Sequence, residues 1–410
     1  MVFMMLRSLI SFVSLTFFSV VLPAQANAAQ EQSVVLISLD GFRWDYIEKH
    51  QAKNLALIAK QGVRAQKLIP VYPTKTFPNH LSIMTGLLPT HHGVVDNKFC
   101  DKQRQECYAM GDGRKDSSWL NGVPLWNLAT LQGVKSATYF WPESDALFNG
   151  VLPDYYYHYS KHSDYQARID QMLFWLKLPH AQRPRFIAGY FSLVDSMGHD
   201  FGPDAPQTYE AVQKLDSLMG QLVTRIKSEV DAPVNVILVS DHGMASVDPT
   251  QSIAIADLGI SQEDFDIKNS GTRVQLYQKQ GRKLDLSTFK SSLSKQAKGR
   301  FTVLTSAQLA SVGYQHSPRV ADVIIETTAP RVFSSSGEVD YLGTHGYAYT
   351  QDMAAFFVAN GPAFKQGFSL DEVKNLDIYP IVAQILGLSL LSPIDSEGDT
   401  LRPALKPAVN

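Results

Sequence analysis

An α/β fold is predicted, with an open, mainly parallel sheet, helices on both faces and a smaller inserted lobe. Three observations predict it. Short β-branched apolar runs recur along the chain, helical patterns separate them, and three of the four runs lead into aspartate or histidine. A run apolar at every position suits a strand buried on both faces, which helices must then cover. Alternation of such strands with helices points to parallel pairing.

The first run, VVLISLD at residues 34–40, closes on Asp40 and is followed by Gly41. The second, FIAGYFSLVD, reaches Asp195, and the third, VNVILVSDHG, reaches Asp241 and His242. The fourth, AAFFVANGP, follows His345 after a short interval. Helical patterns occupy Tyr165–Leu176 and Pro206–Glu229. From about residue 260 to 341 the texture changes to short strand-like pieces, TRVQLYQ and ADVIIETT, with polar connectors, which marks the inserted lobe. The closing LRPALKPAVN reads as a loose tail. In open α/β sheets ligands bind beyond the carboxyl ends of the strands. One carboxylate there is an ordinary turn former; three, with histidines attached, point to a site.

At the N-terminus Arg7 precedes an apolar run at residues 8–22, and the small-residue segment PAQANAAQ follows. That order predicts a signal peptide over residues 1–28, cut after Ala26 or Ala28, and a periplasmic or secreted mature chain of residues 29–410. The run is short for a membrane span, and no later segment is long and apolar enough to be one. The two cysteines, Cys100 and Cys107, either clip a loop together or remain free thiols; their spacing leaves both open. A formal net charge of -2 argues against a stable nucleic-acid partner, so an anionic substrate must be held by local groups.

The polar residues near the strand ends form sets suited to metals. Asp195 and His199, in DSMGHD, are spaced so that one turn aims both at one ion. Asp241 and His242 are adjacent in SDHG, His345 lies between the glycines of GTHG, and Asp40 ends the first run. Carboxylate oxygen and imidazole nitrogen are a ligand set that zinc accepts, though manganese or iron also suits it. Of the 11 histidines, the eight besides His199, His242 and His345 lack an acidic partner at a strand end. They read as structural residues, with His80 nearest to a role because it lies close to Thr76. In VYPTKTFPNHLSIMTG a proline-bounded turn leads into a helix starting near Pro78, whose N–H groups would favour an anion. Thr76 lies just upstream. A threonine there is ordinarily a cap, but beside divalent ions its hydroxyl becomes a nucleophile for phosphorus.

PTKTFPNH, HGVVDN, WPESD, DSMGHD, SDHG and GTHG, in this order, resemble the nucleotide pyrophosphatase/phosphodiesterase family of the alkaline phosphatase superfamily. The similarity runs from about Val34 to Gly367. It implies an alkaline-phosphatase-like fold, a catalytic domain over residues 29–410 and two Zn²⁺ per chain. By resemblance, Asp195, His199 and His345 hold one zinc, and Asp40, Thr76, Asp241 and His242 hold the other. Thr76 matches the nucleophile. Asn97 matches the residue that holds a non-bridging phosphate oxygen together with the backbone N–H of Phe77. Phe77, Trp141, Tyr159 and Tyr190 fall on positions lining a nucleotide pocket. The sequence leaves open whether Glu143, in WPESD, tunes that pocket; a negative charge there would disfavour highly phosphorylated substrates.

The function so implied is hydrolysis of phosphodiester or pyrophosphate bonds in nucleotides and related diesters. It would proceed through a phosphothreonine and release nucleoside 5'-monophosphates. Phosphonoacetate hydrolase and choline-phosphodiester phosphodiesterases are the rival zinc-dependent readings; TFPNH, VVDN and WPESD together favour nucleotide diesters. A catalytically inert binding module on the same fold would have no reason to keep every ligand and the threonine.

Overall fold

The computed structural model describes residues 31–407. The signal peptide expected at residues 1–28 lies outside the described residues. Along the chain run β1 (Ser33–Leu39), β2 (Val63–Ile69), β3 (Lys98–Asp101), β4 (Glu106–Ala109), β5 (Ser136–Tyr139), β6 (Tyr155–Tyr157), β7 (Phe186–Phe191) and β8 (Val234–Val239). With Ala355–Asn360 and Phe368–Lys374, six of these build an eight-stranded sheet. Its order is Phe368–Lys374, β2, Ala355–Asn360, β8, β1, β7, β5, β6.

β1 is central and buried at every position. It pairs in parallel with β7 and β8, so that Val35 lies opposite Ile187 on one side and Val236 on the other. Because side chains alternate across a strand, Val34 and Leu36 enter one apolar cluster while Val35, Ile37 and Leu39 enter another. The first cluster is closed by Thr76–Thr85, Leu125–Leu131 and Ile378–Leu386, the second by Lys53–Lys60, Tyr165–Leu176 and Pro206–Glu229. Helices therefore cover both faces, as the unbroken apolar runs demand. The fourth run departs from the parallel expectation: Ala355–Asn360 is antiparallel to both β2 and β8. That reversal leaves β2 running the same way as β1, so the chain after β2, which carries Thr76, emerges at the same edge as Asp40 and Asp241.

Other expectations are corrected locally. Asp195 does not end a strand; it lies with His199 on the helix Leu193–Phe201 that follows β7. Thr76 is not upstream of its helix but its first residue, with Pro78 in the first turn, where a missing N–H costs nothing. The C-terminal stretch is not loose over its first half: Leu401 and Ala404 are fully buried, and Leu405 bridges Phe364. TRVQLYQ and ADVIIETT supply strands of a separate four-stranded antiparallel sheet, ordered Phe265–Asn269, Arg273–Gln278, Val323–Thr327, Phe301–Val303, which has an apolar cluster of its own. Cys100 and Cys107 face each other across the β3–β4 hairpin and are disulfide-bonded. No helix among the described residues is long and apolar enough to cross a membrane.

The turn after β1 depends on Gly41. Its φ is +68°, and a Cβ there would stand 2.9 Å from the Asp195 Cα. Gly41→Ala should therefore destabilise the protein by at least about 1–2 kcal/mol, the cost of a left-handed residue with a side chain. Chemical denaturation measures this; an unchanged midpoint would remove the close approach as a constraint on the Asp195 helix.

Candidate active site

The carboxyl ends of β8, β1 and β7 lie side by side, so sheet order gathers residues that are far apart in sequence. Asp40 follows β1, Asp241 and His242 follow β8, and the helix after β7 brings Asp195 and His199. His345 arrives on the glycine-flanked loop. There Gly346 has φ +103°, and a Cβ would lie 2.1 Å from the Lys75 side chain. Its N–H donates to Thr74 Oγ1 (3.0 Å), which clips this loop to the residues just before Thr76.

The three histidines are oriented alike. Nδ1–H of His199 donates to the Gly343 carbonyl (2.8 Å), that of His242 to Gly243 (2.9 Å), and that of His345 to Thr74 (2.9 Å). A carbonyl can only accept, so each Nδ1 carries the proton and each Nε2 keeps its lone pair. Those Nε2 atoms meet the carboxylates. His242 Nε2 is 2.8 Å from Asp241 Oδ2 and 3.5 Å from Asp40 Oδ1. His199 Nε2 and His345 Nε2 lie 3.4 Å and 3.8 Å from Asp195 Oδ1. The His242 and His345 rings stack at 3.5 Å. Burial holds both imidazoles below their usual pKa, which keeps them neutral.

Asp40 Oδ1, Asp195 Oδ1 and Asp241 Oδ2 are buried and have no hydrogen-bond partner in the protein. Burial, and then the neighbouring carboxylates, push the Asp40 carboxyl well above its usual range; burial pushes Asp241 up to about 8. Unpaired buried carboxylates facing lone pairs are costly unless a cation joins them. Two overlapping sets have ligand atoms within 4.8 Å of one another: Asp195, His242 and His345, and Asp40, Asp241 and His242. The oxygen and nitrogen donors, their orientation and the orphaned oxygens fit divalent metal binding.

Thr76 opens the helix Thr76–Thr85, and its Oγ1 is 3.3 Å from His242 Nε2. Lys75, at the N-cap, makes no side-chain cap. The Phe77 N–H is satisfied instead from a distance, by Asn97 Oδ1 at 3.0 Å. The two predicted phosphate-oxygen donors are thus brought together, with the Phe77 N–H engaged by the Asn97 amide. The Lys75 ammonium is buried and donates to the Ser270 and His345 carbonyls (2.8 and 2.9 Å). His80 packs beneath the site: its Nδ1 contacts the Thr76 carbonyl at 2.8 Å and lies 3.4 Å from Asp241 Oδ2, its Nε2 contacts the Ser38 hydroxyl at 2.8 Å, and burial lowers its pKa to about 3.

Beside Thr76 a cavity of about 540 Å³ opens, lined by Phe77, Asn97, Trp141, Tyr159 and Tyr190 among others. The aromatic residues differ in how they line it. Tyr159 is 55% exposed and Phe77 half-buried, so both offer ring surface. Trp141 is 2% exposed, with its indole N–H on the His80 carbonyl (3.2 Å), and belongs mostly to the core. The Tyr190 hydroxyl donates to Asp40 Oδ2, so this residue braces a carboxylate as well as lining the wall. Sequence reasoning missed Met110, Arg114, Phe140 and Tyr157 on this wall. Met110 and Arg114 follow the disulfide hairpin, and no spacing in the sequence ties that hairpin to the cavity.

Glu143, whose role the sequence leaves open, lines the cavity, but its carboxyl is buried against the neighbouring loop. It is 3% exposed, has φ +60°, and accepts hydrogen bonds from the Tyr108 hydroxyl and the Gly113 N–H. Burial pushes its pKa up to about 7. A carboxyl raised on folding contributes stability that is complete below its unfolded pKa, near 4.3, and is lost as pH rises through about 7. Wild type should therefore lose stability relative to Glu143→Gln as pH rises from about 4.3 to about 7, the interval between those two values. Melting curves across that range test it, and a constant difference would refute the assignment.

The model of the type I phosphodiesterase / nucleotide pyrophosphatase family matches residues 34–348. The chain is 33% identical over 371 residues to ectonucleotide pyrophosphatase/phosphodiesterase family member 3 of Bos taurus, covering 86% of this chain and 42% of that protein. It is 30% identical over 372 residues to a venom phosphodiesterase of Naja atra, covering 87% and 44%. It thus spans less than half the length of these curated relatives. Murine ectonucleotide pyrophosphatase/phosphodiesterase 5, solved as an inactive variant in complex with AMP, superposes with a TM-score of 0.85 at 26% identity, covering 92% of this chain and 100% of that one. With the motifs gathered at one sheet edge, these matches establish that the chain belongs to the type I phosphodiesterase / nucleotide pyrophosphatase family.

Proposed function

We propose that this chain hydrolyses phosphodiester or pyrophosphate bonds in nucleotides and related diesters, releasing nucleoside 5'-monophosphates, with Thr76 as nucleophile. The observation that carries the proposal is the position of Thr76: it starts a helix, its Oγ1 is 3.3 Å from His242 Nε2, and it faces an aromatic cavity. Asp195, His199 and His345 would hold one Zn²⁺, and Asp40, Thr76, Asp241 and His242 the other. Bound there, the metals would supply Lewis acidity at the reacting oxygens and lower the pKa of the Thr76 hydroxyl.

Thr76 Oγ1 forms a bond to phosphorus as the opposite P–O bond breaks, and water then displaces Oγ1 from the phosphothreonine. Asn97 Nδ2 and the Phe77 N–H serve as donors to a non-bridging oxygen, which requires the Phe77 N–H to exchange Asn97 Oδ1 for phosphate. The helix start adds a favourable dipole for that charge. Phe77 and Tyr159 offer faces for a base. A monoester dianion calls for extra cationic donors, whereas the Lys75 ammonium is engaged by two carbonyls and the Arg114 guanidinium on the cavity wall faces Asp145 Oδ2 at 3.8 Å. That favours a diester, whose second substituent the cavity accommodates. The AMP complex of the murine structure supports a nucleotide as ligand. The apolar leader and the Cys100–Cys107 disulfide support action in the periplasm or outside the cell.

The zinc-loaded chain should turn over a nitrophenyl nucleotide diester at least about 100-fold faster, in kcat/KM, than nitrophenyl phosphate, because only the diester uses the base wall. Preference for the monoester would move the protein to a phosphatase reading.

A further inference from the structure

Asn97 lies on a five-residue loop, residues 93–97, that is gripped from one side by the antiparallel sheet and its connectors. Asp96 is fully buried, and its carboxylate has three partners beyond its own chain neighbour. Arg273 Nε donates to Oδ2 at 2.8 Å, Gln275 Nε2 to Oδ2 at 3.1 Å, and Ser270 Oγ to Oδ1 at 3.0 Å. The Asn97 N–H donates to the same Oδ1 (2.6 Å), so these partners fix the backbone of Asn97 itself. Gln275 Nε2 also donates to the Lys98 carbonyl (3.2 Å), which closes the grip on the far side of Asn97. Arg273 is fully buried too, and passes a further bond through the Tyr314 hydroxyl (2.7 Å) to the Val95 carbonyl (3.0 Å). Meanwhile the Ser270 carbonyl accepts from Lys75 Nζ, next to Thr76. One turn of the second sheet thus touches both the residue before the nucleophile and the residue before Asn97.

We infer that Ser270, Arg273 and Gln275 are positioning residues for the reaction: through Asp96 they hold the Asn97 amide in register with the Phe77 N–H and Thr76. The inference rests on the proposed diester reaction. Merely fastening one sheet to the other would need neither an ion pair fully removed from water nor three donors on one carboxylate, since apolar contacts do that at lower cost. Aiming a neutral donor at a developing charge does need a rigid backbone on each side of it, because a misplacement of about 1 Å at such a group costs up to about 100-fold in rate.

The test is a double-mutant cycle on the zinc-loaded full chain with a nitrophenyl nucleotide diester. Arg273→Lys should lower kcat by about 10-fold or more with KM within about 2-fold, whereas in an Asn97→Ala background it should change kcat by less than about 2-fold. An equal loss in both backgrounds would overturn the inference and leave a structural role. If Arg273→Lys lacks a native melting transition, Ser270→Ala carries the same cycle, with an expected loss of about 3-fold that Asn97→Ala again abolishes. If wild type does not turn over the diester, the proposed reaction fails, and the crystal structure of Ser270→Ala decides the positioning. An Asn97 amide displaced from the Phe77 N–H upholds it; an unchanged 3.0 Å contact overturns it.

Discussion

Thr76→Ala is expected to lower kcat for a nucleotide diester by on the order of 10⁴-fold or more, because the proposed nucleophile is removed. The fold should survive the change. Thr76 is the first residue of its helix, and its hydroxyl has His242 Nε2 as its hydrogen-bond partner, so alanine leaves no unpaired buried donor in the helix. A melting temperature close to wild type together with lost turnover would assign the defect to chemistry. A retained rate would transfer the nucleophile's role to water. Stereochemistry reads the same question independently. Two successive displacements, by Thr76 and then by water, give net retention at a chiral thiophosphate, while direct attack by water gives inversion.

Removing metal should have the other large effect, on stability as well as rate. Without a cation, Asp40 Oδ1, Asp195 Oδ1 and Asp241 Oδ2 are buried opposite one another with no protein partner. Ligands that bind only the native state stabilise it by about 2.7 kcal/mol per site at a hundredfold excess over Kd, so two sites contribute on the order of 5 kcal/mol. Chelation followed by dialysis should abolish diester turnover and lower the denaturation midpoint by a corresponding amount, with zinc restoring both. Full activity in the stripped protein would sink the metal assignment. An unchanged midpoint would mean that the carboxylates are satisfied in another way, for instance by sharing protons, which the raised pKa values of Asp40 and Asp241 permit.

The architecture was legible in the chain because burial on both faces leaves an unbroken signature. VVLISL has no polar face to show, and it becomes the central β1, buried at every position. Tyr165–Leu176 and Pro206–Glu229 form helices over the ranges their patterns mark. The metal-type residues were legible as well, since sharp turns after strands concentrate Asp, His and Gly in short motifs. The direction of Ala355–Asn360 was not, because an apolar run reads alike in both directions and its polarity depends on the connection that precedes it.

The grip on Asn97 was still further from view. Asp96 and Arg273 are separated by 177 positions, and nothing local distinguishes Asp96 from a turn aspartate or Arg273 from a solvated strand arginine. Likewise the role of Glu143 is open in the sequence, and only the packing of Tyr108 and Gly113 shows its carboxyl to be buried against them. By itself, then, the sequence determined the strand–helix alternation, the candidate metal-binding residues and the candidate nucleophile Thr76, because each is recorded in local spacing. Only the tertiary structure decided which side chains meet, which carboxylates lose their water and which loops are held. Those depend on desolvation and on contacts between segments that no spacing along the chain encodes.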